Sequence, residues 1–321
     1  MTFIASVIAK EGIAVVADSF VSTSDFSITD EAFFKYLAKE KPKKYVSLKK
    51  LFTLFDSHTA STRNYVEKLF EFDDFSAITT TGSAFINGKE INDLLGEVAK
   101  KMQKDKKAYA KKTIDEKLDE FSALLKTELV AHANNDKFGN FGGTRFIFSH
   151  YNVKEKKPQI FIIILKRFTK DKFDENDAEL ITRVDRTHLK IILAGQDSFA
   201  DRLIFGSLYT NMNAIRPKIF NEITKAVKPR GETRKKLKDA IYHDDFLNDV
   251  VFKDVFSVEL RELSLQEAAD LAALLLKIVM ELQVYTEKIP TVGGVIRLAV
   301  IHKETGFKWI SGDKLTIPKF I

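Results

Sequence analysis

Thr2 directly follows the initiator methionine, a placement that opens a chemistry closed to a threonine inside the chain. A threonine hydroxyl is a weak nucleophile at neutral pH and needs a base beside it. When methionine is trimmed from a small second residue, the exposed α-amine, with a reference pKa of about 8, can be that base. A nearby ammonium lowers the amine's pKa by like-charge repulsion, and a carboxylate is needed to hold that ammonium in place. Asp18 and Lys50 are the candidates for those two jobs.

Other chemistries find less support. No cysteine occurs, which excludes disulfides, thiolate nucleophiles and cysteine-ligated metals. The six histidines show no ligand spacing, and the nearest approach to a metal site, His243-Asp244-Asp245, reads as a loop or helix start. Gly139-Asn140-Phe141-Gly142-Gly143 lacks the Gly-Lys-Ser/Thr ending of a phosphate loop. We therefore expect no cofactor and no metal. A net charge of +6 arises from 51 basic against 45 acidic residues. The lysine runs at 100–112 and 225–238 are interspersed with or followed by acidic residues, as solvated helix faces are, and nucleic acid is not an expected partner. Ala268 to Met280 is the longest apolar stretch, and Asp270 and Lys277 keep it short of the roughly 20 residues of a membrane span. Thr2 to Ala9 has no basic segment before it and is interrupted by Lys10-Glu11, so no leader is expected and the cytoplasm is the default address.

These residues need elements to position them. Phe3, Ala5 and Val7 alternate with Thr2, Ile4 and Ser6, then Lys10-Glu11-Gly12 turns into Ile13 to Ala17: a hairpin that sets Asp18 opposite residue 4 or 5. Residues 21–46 read as an inserted segment with a short helix through Phe33, Phe34 and Leu37. Phe20, Phe26, Phe33 and Phe34 could together form an exposed patch covered by another subunit. Lys49 to Phe55 and Ala77 to Gly82 have strand character. Residues 87–132 are helical, with Leu94, Leu95, Val98, Leu118, Phe121, Leu124 and Leu125 as the apolar stripe. Strands follow at 144–151, 159–165 and 189–193, then a long helical region at 205–262. Ser264 to Glu267 is a capping box opening a helix to Tyr285, and Gly293-Gly294 precede a last strand at 295–302. Strands and helices come in blocks, so the class is α+β with antiparallel sheet.

Thr2, Gly12 and Val15-Val16-Ala17-Asp18-Ser19 resemble, in spacing and without a gap, the opening of a proteasome β subunit, an N-terminal-nucleophile (Ntn) hydrolase. Lys49-Lys50-Leu51-Phe52 resembles that family's Lys-Lys-aliphatic strand, which would make Lys50 its catalytic lysine and residues 21–46 the site of an insertion. Gly82-Ser83-Ala84 is similar to the turn after the oxyanion strand, which would put the oxyanion-donating backbone N–H at Thr79 or Thr80. Phe141 to Leu165, and Ser264 to Thr286 with Gly293-Gly294, are similar to the family's second half. Residues 205–262 have no counterpart. The family's peptidases also carry a serine after the middle strand, here near Gln196-Asp197-Ser198, and an Asp-x-x-Ser-Gly before the last. Counting back from Gly293-Gly294 puts that last pair on Ile289 and Val292, neither of which can hydrogen-bond.

The resemblance implies a four-layer αββα sandwich of the Ntn-hydrolase, proteasome-subunit-like kind, one domain over 1–321 with insertions at about 21–46 and 205–262. It implies a threonine peptidase or amidohydrolase acting on a peptide or protein substrate, self-associating into a homo-oligomer in a ring or related assembly. Ile289 and Val292 keep a second expectation open, a non-catalytic scaffold of the same fold. A nucleic-acid-binding protein with a basic surface is the third.

Overall fold

The computed structural model describes residues 2–40, 54–63, 66–104, 109, 111–135, 140–195, 200, 216–242, 262–286 and 289–310. The β-prone opening forms the expected hairpin, β1 (Phe3–Ala9) and β2 (Gly12–Ala17). Its turn is two residues, Lys10-Glu11, shorter than a turn that includes Gly12. That sets Ile4 against Ala17, and the Asp18 N–H donates to the Phe3 carbonyl (3.2 Å). Asp18 thus stands one pair nearer Thr2 than the expected residue 4. Gly12 lets the strand over Arg297–His302 approach closely, since a Cβ there would lie 1.9 Å from the Ile301 carbonyl oxygen.

The described strands form two five-stranded antiparallel sheets and two two-stranded ribbons. After β3 (Val21–Ser27), β4 (Asp56–Arg63), β5 (Leu69–Asp73), β6 (Ser76–Gly82) and the short β7 (Phe85–Ile86) and β8 (Lys89–Glu90) come β9 (Thr144–Asn152), β10 (Lys157–Leu165), β11 (Ile181–Asp185), β12 (Ile191–Gly195), β13 (Arg297–His302) and β14 (Gly306–Trp309). The first sheet has the order β12-β1-β2-β13-β14 and the second β11-β10-β9-β6-β5, and the ribbons are β3-β4 and β7-β8. Among the described residues the helices are α1 (Asp30–Glu40), α2 (Ile91–Lys104), α3 (Ile114–Asn134), α4 (Gly231–Tyr242) and α5 (Leu265–Thr286), and residues 216–227 are helical too.

Strand alternation decides which side chain enters which layer. Ile4, Ile13 and Val15 pack with Leu69, Ala77 and Ile147 of the second sheet, so the two sheets share one apolar layer. Phe3, Ala5 and Val7 point the other way, onto Ala268, Ala272 and Leu276 of α5. Ile78, Phe146 and Phe148 carry α2 and α3 on the far face of the second sheet, through Leu94, Leu118 and Phe121. The chain is therefore a mixed α/β fold with antiparallel sheets and helices on their outer faces. No helix among the described residues is long and apolar enough to cross a membrane.

Two segments differ from expectation. The insertion at 21–46 begins as a strand: β3 pairs with β4 in a two-stranded ribbon, with α1 between them, so the excursion returns only at Arg63. The strand expected over Lys49 to Phe55 has residues 49–53 outside the described residues, and 54–55 are not in a strand. The strands there are β4, whose Asp-Ser-His-Thr-Ala-Ser-Thr-Arg has no apolar alternation to reveal it, and β5. Of residues 205–262, only 216–242 and 262 are described. There Lys225 pairs with Glu222 and Lys236 with Glu232, the solvated, acid-paired pattern expected of that basic run.

The start of α5 is tied to the opening hairpin. Ser264 and Glu267 form the expected reciprocal box: the Ser264 N–H donates to Glu267 Oε2 (2.9 Å) and the Glu267 N–H to Ser264 Oγ (3.3 Å). Glu11 Oε2 accepts a further helix-start donor, the Leu265 N–H (2.9 Å), while the Lys10 N–H donates to the Leu263 carbonyl (3.0 Å). A carboxylate there also meets the positive end of the helix dipole. Glu11→Ala and Ser264→Ala should each lower unfolding free energy by about 1 kcal/mol, read from urea denaturation. An unchanged midpoint for both would show that the cap does not hold the helix.

Candidate active site

Asp18 leaves β2 fully buried, and its carboxylate collects donors from separate parts of the chain. Oδ1 accepts the Phe3 N–H (2.9 Å) and Lys68 Nζ (2.9 Å). Oδ2 accepts the Phe20 N–H (3.1 Å) and the Gly293 N–H (3.3 Å). Burial pushes the Asp18 carboxyl above its ordinary range, while Lys68 and the backbone donors pull against that shift. The same burial pushes Lys68 below its ordinary value, with Asp18 opposing it. Lys68 Nζ also donates to the Phe20 carbonyl, so its position is set from two sides.

Thr2 is the residue before the Phe3 amide that Asp18 holds. Bond lengths and the two 2.9 Å contacts on Oδ1 place the Thr2 Cα at most about 8 Å from Lys68 Nζ. Thr2 and Lys68 line one cavity of about 330 Å³ with Thr80, Thr81 and Gly82. Thr2's own carbonyl is backed by Gly195, where a Cβ would lie 1.9 Å from the Thr2 oxygen and φ is +100°, so a side chain there is excluded twice over. Next to Asp18, Ser19 Oγ accepts the Val295 N–H (2.7 Å), and its backbone N–H and carbonyl bond Gly293 and Val66. Phe20 lies across Gly293 and Gly294, where a Cβ would meet its ring at 2.6 and 2.8 Å. It belongs to this junction, whereas Phe34 is the exposed ring, at 64%.

The lysine on Asp18 is one that sequence reading missed. Lys50 lies outside the described residues. Lys68 comes just before β5, and the Thr80 N–H donates to its carbonyl (3.0 Å), extending the β5–β6 ladder by one residue. Both lysines begin the same tripeptide, Lys-Leu-Phe, at 50–52 and at 68–70. The signal that could have chosen between them was the distance to the Ala77–Gly82 strand: only the second copy is one hairpin turn away.

The Thr80 amide, assigned to the oxyanion from sequence, is occupied by that bond to Lys68. Thr79 and Thr80 are buried, and neither hydroxyl has a partner among the described residues. The Ser83 N–H donates to the Gly143 carbonyl across β9, so by ladder alternation Thr79 and Thr81 direct their backbone groups to β9 as well. The Gly82 N–H shares a planar peptide with the Thr81 carbonyl and points the opposite way, past the end of β5 towards the cavity Gly82 lines. By this alternation the Gly82 N–H, unlike that of Thr80, meets no carbonyl of β5 or β9 among the described residues.

Val292 is buried in the layer under α5 and Ile289 is half-buried, as apolar residues must be. The polar work of this loop falls to Gln283, whose Oε1 accepts the Thr291 N–H (2.8 Å) and the Val292 N–H (2.9 Å), and to the Gly293 backbone. Residues 196–198, where the middle serine was expected, lie outside the described residues, as does His243-Asp244-Asp245. No group of three metal-ligating side chains occurs among the described residues.

A second constellation has the residue types of a hydrolase triad. Ser76 Oγ is 2.8 Å from His150 Nδ1, and Ser76 also bonds Asp73, which pairs with Lys117 (2.7 Å). Ser76 is fully buried, and its carboxylate partner contacts the serine instead of orienting the histidine, so this cluster pins β5 and β6 to α3.

Two outcomes follow. Lys68→Met leaves the Asp18 carboxylate buried without its cation and should cost about 3–5 kcal/mol. The double variant Asp18→Asn/Lys68→Met should recover part of that loss in urea unfolding, and strict additivity would show that the two groups do not interact. Burial pushes His150 from 6.5 down to about 4. Its stabilising contribution is complete above pH 6.5 and is lost as pH falls towards 4, where the unfolded chain takes up a proton that the native one refuses. Stability should therefore fall across that window by up to about 1.4 kcal/mol per pH unit, and His150→Gln should flatten the slope. Compared with models of known protein families and with curated proteins, the chain matches none.

Proposed function

We propose that the chain is a proteasome-like Ntn hydrolase, a threonine peptidase or amidohydrolase in which Thr2, freed of Met1, is the nucleophile. The observation that carries the reading is the buried Lys68–Asp18 pair bonded to the amide next to Thr2, at the wall of the cavity Thr2 lines. Two facing antiparallel sheets with helices outside support the matching four-layer αββα architecture.

In this reading Lys68 takes the role first given to Lys50. Thr2 Oγ attacks the amide carbonyl carbon while its proton passes to the α-amine, which the neighbouring Lys68 charge keeps unprotonated. Asp18 holds Lys68. The oxyanion is met by the Gly82 N–H, a main-chain donor already in place before the substrate arrives. The carbon–nitrogen bond breaks as the α-amine returns the proton to the leaving nitrogen. Water then adds to the acyl ester, releasing the acid and restoring the Thr2 hydroxyl.

A non-catalytic scaffold of the same fold is the second reading. It is favoured by Val292, which sits in the apolar layer where the family's peptidases place a hydroxyl. Self-association belongs to both readings.

An epoxyketone, which reacts with both the hydroxyl and the α-amine of an N-terminal threonine, separates the two. Intact-mass and peptide mapping should show Met1 removed and Thr2 modified, with no modification in Thr2→Ala. Lys68→Ala, confirmed as folded by its melting transition, should label at least roughly a hundredfold more slowly, while Lys50→Ala labels normally. Retained Met1, or modification elsewhere, would sink the enzyme and leave the scaffold.

A further inference from the structure

Two of the segments that line the cavity beside Thr2 carry carboxylates. Residues 66–68 bring Glu67, and the β7–β8 hairpin brings Phe85 and, paired across from it, Glu90. That hairpin is fixed before any ligand arrives: the Asn87 N–H donates to His132 Nδ1 (2.8 Å) and Asn87 Nδ2 to Glu128 Oε2 (3.3 Å), both on α3.

The two lysines next to these carboxylates in the chain are committed elsewhere. Lys68 is bonded to Asp18 at 2.9 Å. Lys89, next to Glu90 in the chain, is paired with Glu128 (2.5 Å) and Glu97 (3.6 Å). Neither Glu67 nor Glu90 has an ion-pair partner among the described residues, and both are exposed residues in the cavity lining. Thr80, only 6% exposed, also lines the cavity, and its hydroxyl has no hydrogen-bond partner among the described residues. An unpartnered buried hydroxyl carries a cost that a ligand donor would remove. Apolar contact comes from Val21, Val66, Phe85 and Ile91.

We propose that this cavity takes a cationic group on an apolar stem, an amine or guanidinium such as a lysine or arginine side chain. The stem lies against the apolar residues and the head sits between Glu67 and Glu90. As the substrate class of the Thr2 reaction, this side chain would lie next to the scissile carbonyl, and that half rests on the reading above. The binding half does not.

The test is calorimetric titration of the full chain with benzamidine, benzyl alcohol and benzoate, which share one ring and differ in charge. Benzamidine should bind roughly tenfold more tightly than benzyl alcohol, benzoate more weakly than either, and Glu67→Gln/Glu90→Gln should weaken benzamidine by roughly tenfold or more. Both glutamates are exposed, so the double variant should fold normally. Equal binding of all three ligands, no binding of benzamidine, or benzamidine binding that survives the double variant would overturn the proposal. If benzamidine binds through the carboxylates while Thr2 stays unlabelled by the epoxyketone, the nucleophile fails and the ligand class stands. If Thr2 is labelled and benzamidine shows no preference, the reverse holds.

Discussion

One carboxylate gathers four parts of the chain at a single point. Asp18 accepts hydrogen bonds from the first strand, from its own exit turn, from the lysine before β5 and from the glycine before β13. Taking a carboxylate out of water is costly, and the cost is offset only when its lone pairs are filled. Four donors fill them here, three of them backbone N–H groups, of which, among the described residues, only Phe20's also reaches a carbonyl, that of Gly293 (3.2 Å). The group is therefore a constraint in both directions: it requires those segments, and they require it.

The apolar layers and this polar tie do different work. Phe3, Ala5 and Val7 against α5, and Ile4, Ile13 and Val15 against the second sheet, supply most of the burial, and they would do so with the sheets shifted by a small amount. A shift of that kind is what the tie forbids, because a hydrogen bond weakens steeply with distance and angle. Close backbone approaches add to the precision. Gly12 lets β13 lie against β2, and Gly195 lets the end of β12 back the Thr2 carbonyl. The surface ion pairs along α4 and at Lys225–Glu222 contribute little by comparison.

What the sequence made legible follows the same division. Strands with apolar alternation, such as Phe3 to Val7 and Thr144 to Leu165, could be read directly, and so could the Ser264–Glu267 cap. Thr2, Gly12, Asp18 and Ser19 sit on one uninterrupted hairpin, where counting residues is as good as measuring distance, and the one-residue error in Asp18's partner came only from the turn length. Lys68 was not legible, because an excursion of uncertain length precedes it and the same Lys-Leu-Phe triplet occurs at 50–52. Amide direction was not legible either: whether Thr80 or Gly82 offers a free N–H depends on ladder parity, which side-chain identity does not encode. The side chains of Ile289 and Val292 carry no hydrogen-bonding group, as their types dictate, yet backbone groups of Gly293 and the side chain of Gln283 do polar work there that no motif announces.

The bond between Glu11 and the start of α5 spans 254 residues, and that between Asp18 and Gly293 spans 275. At a synthesis rate of roughly 5–20 residues per second, the opening hairpin waits on the order of tens of seconds for these partners. During that interval Phe3, Ala5 and Val7 have no helix to cover them, and β2 presents a bare edge where β13 will later pair. Such a contact map makes folding slow and places the hazard of association at the beginning of translation. It also sets when the tie at Asp18 closes: the Gly293 N–H reaches the carboxylate only after residue 293 has emerged, so the finished molecule has all four donors in place while the half-made one does not.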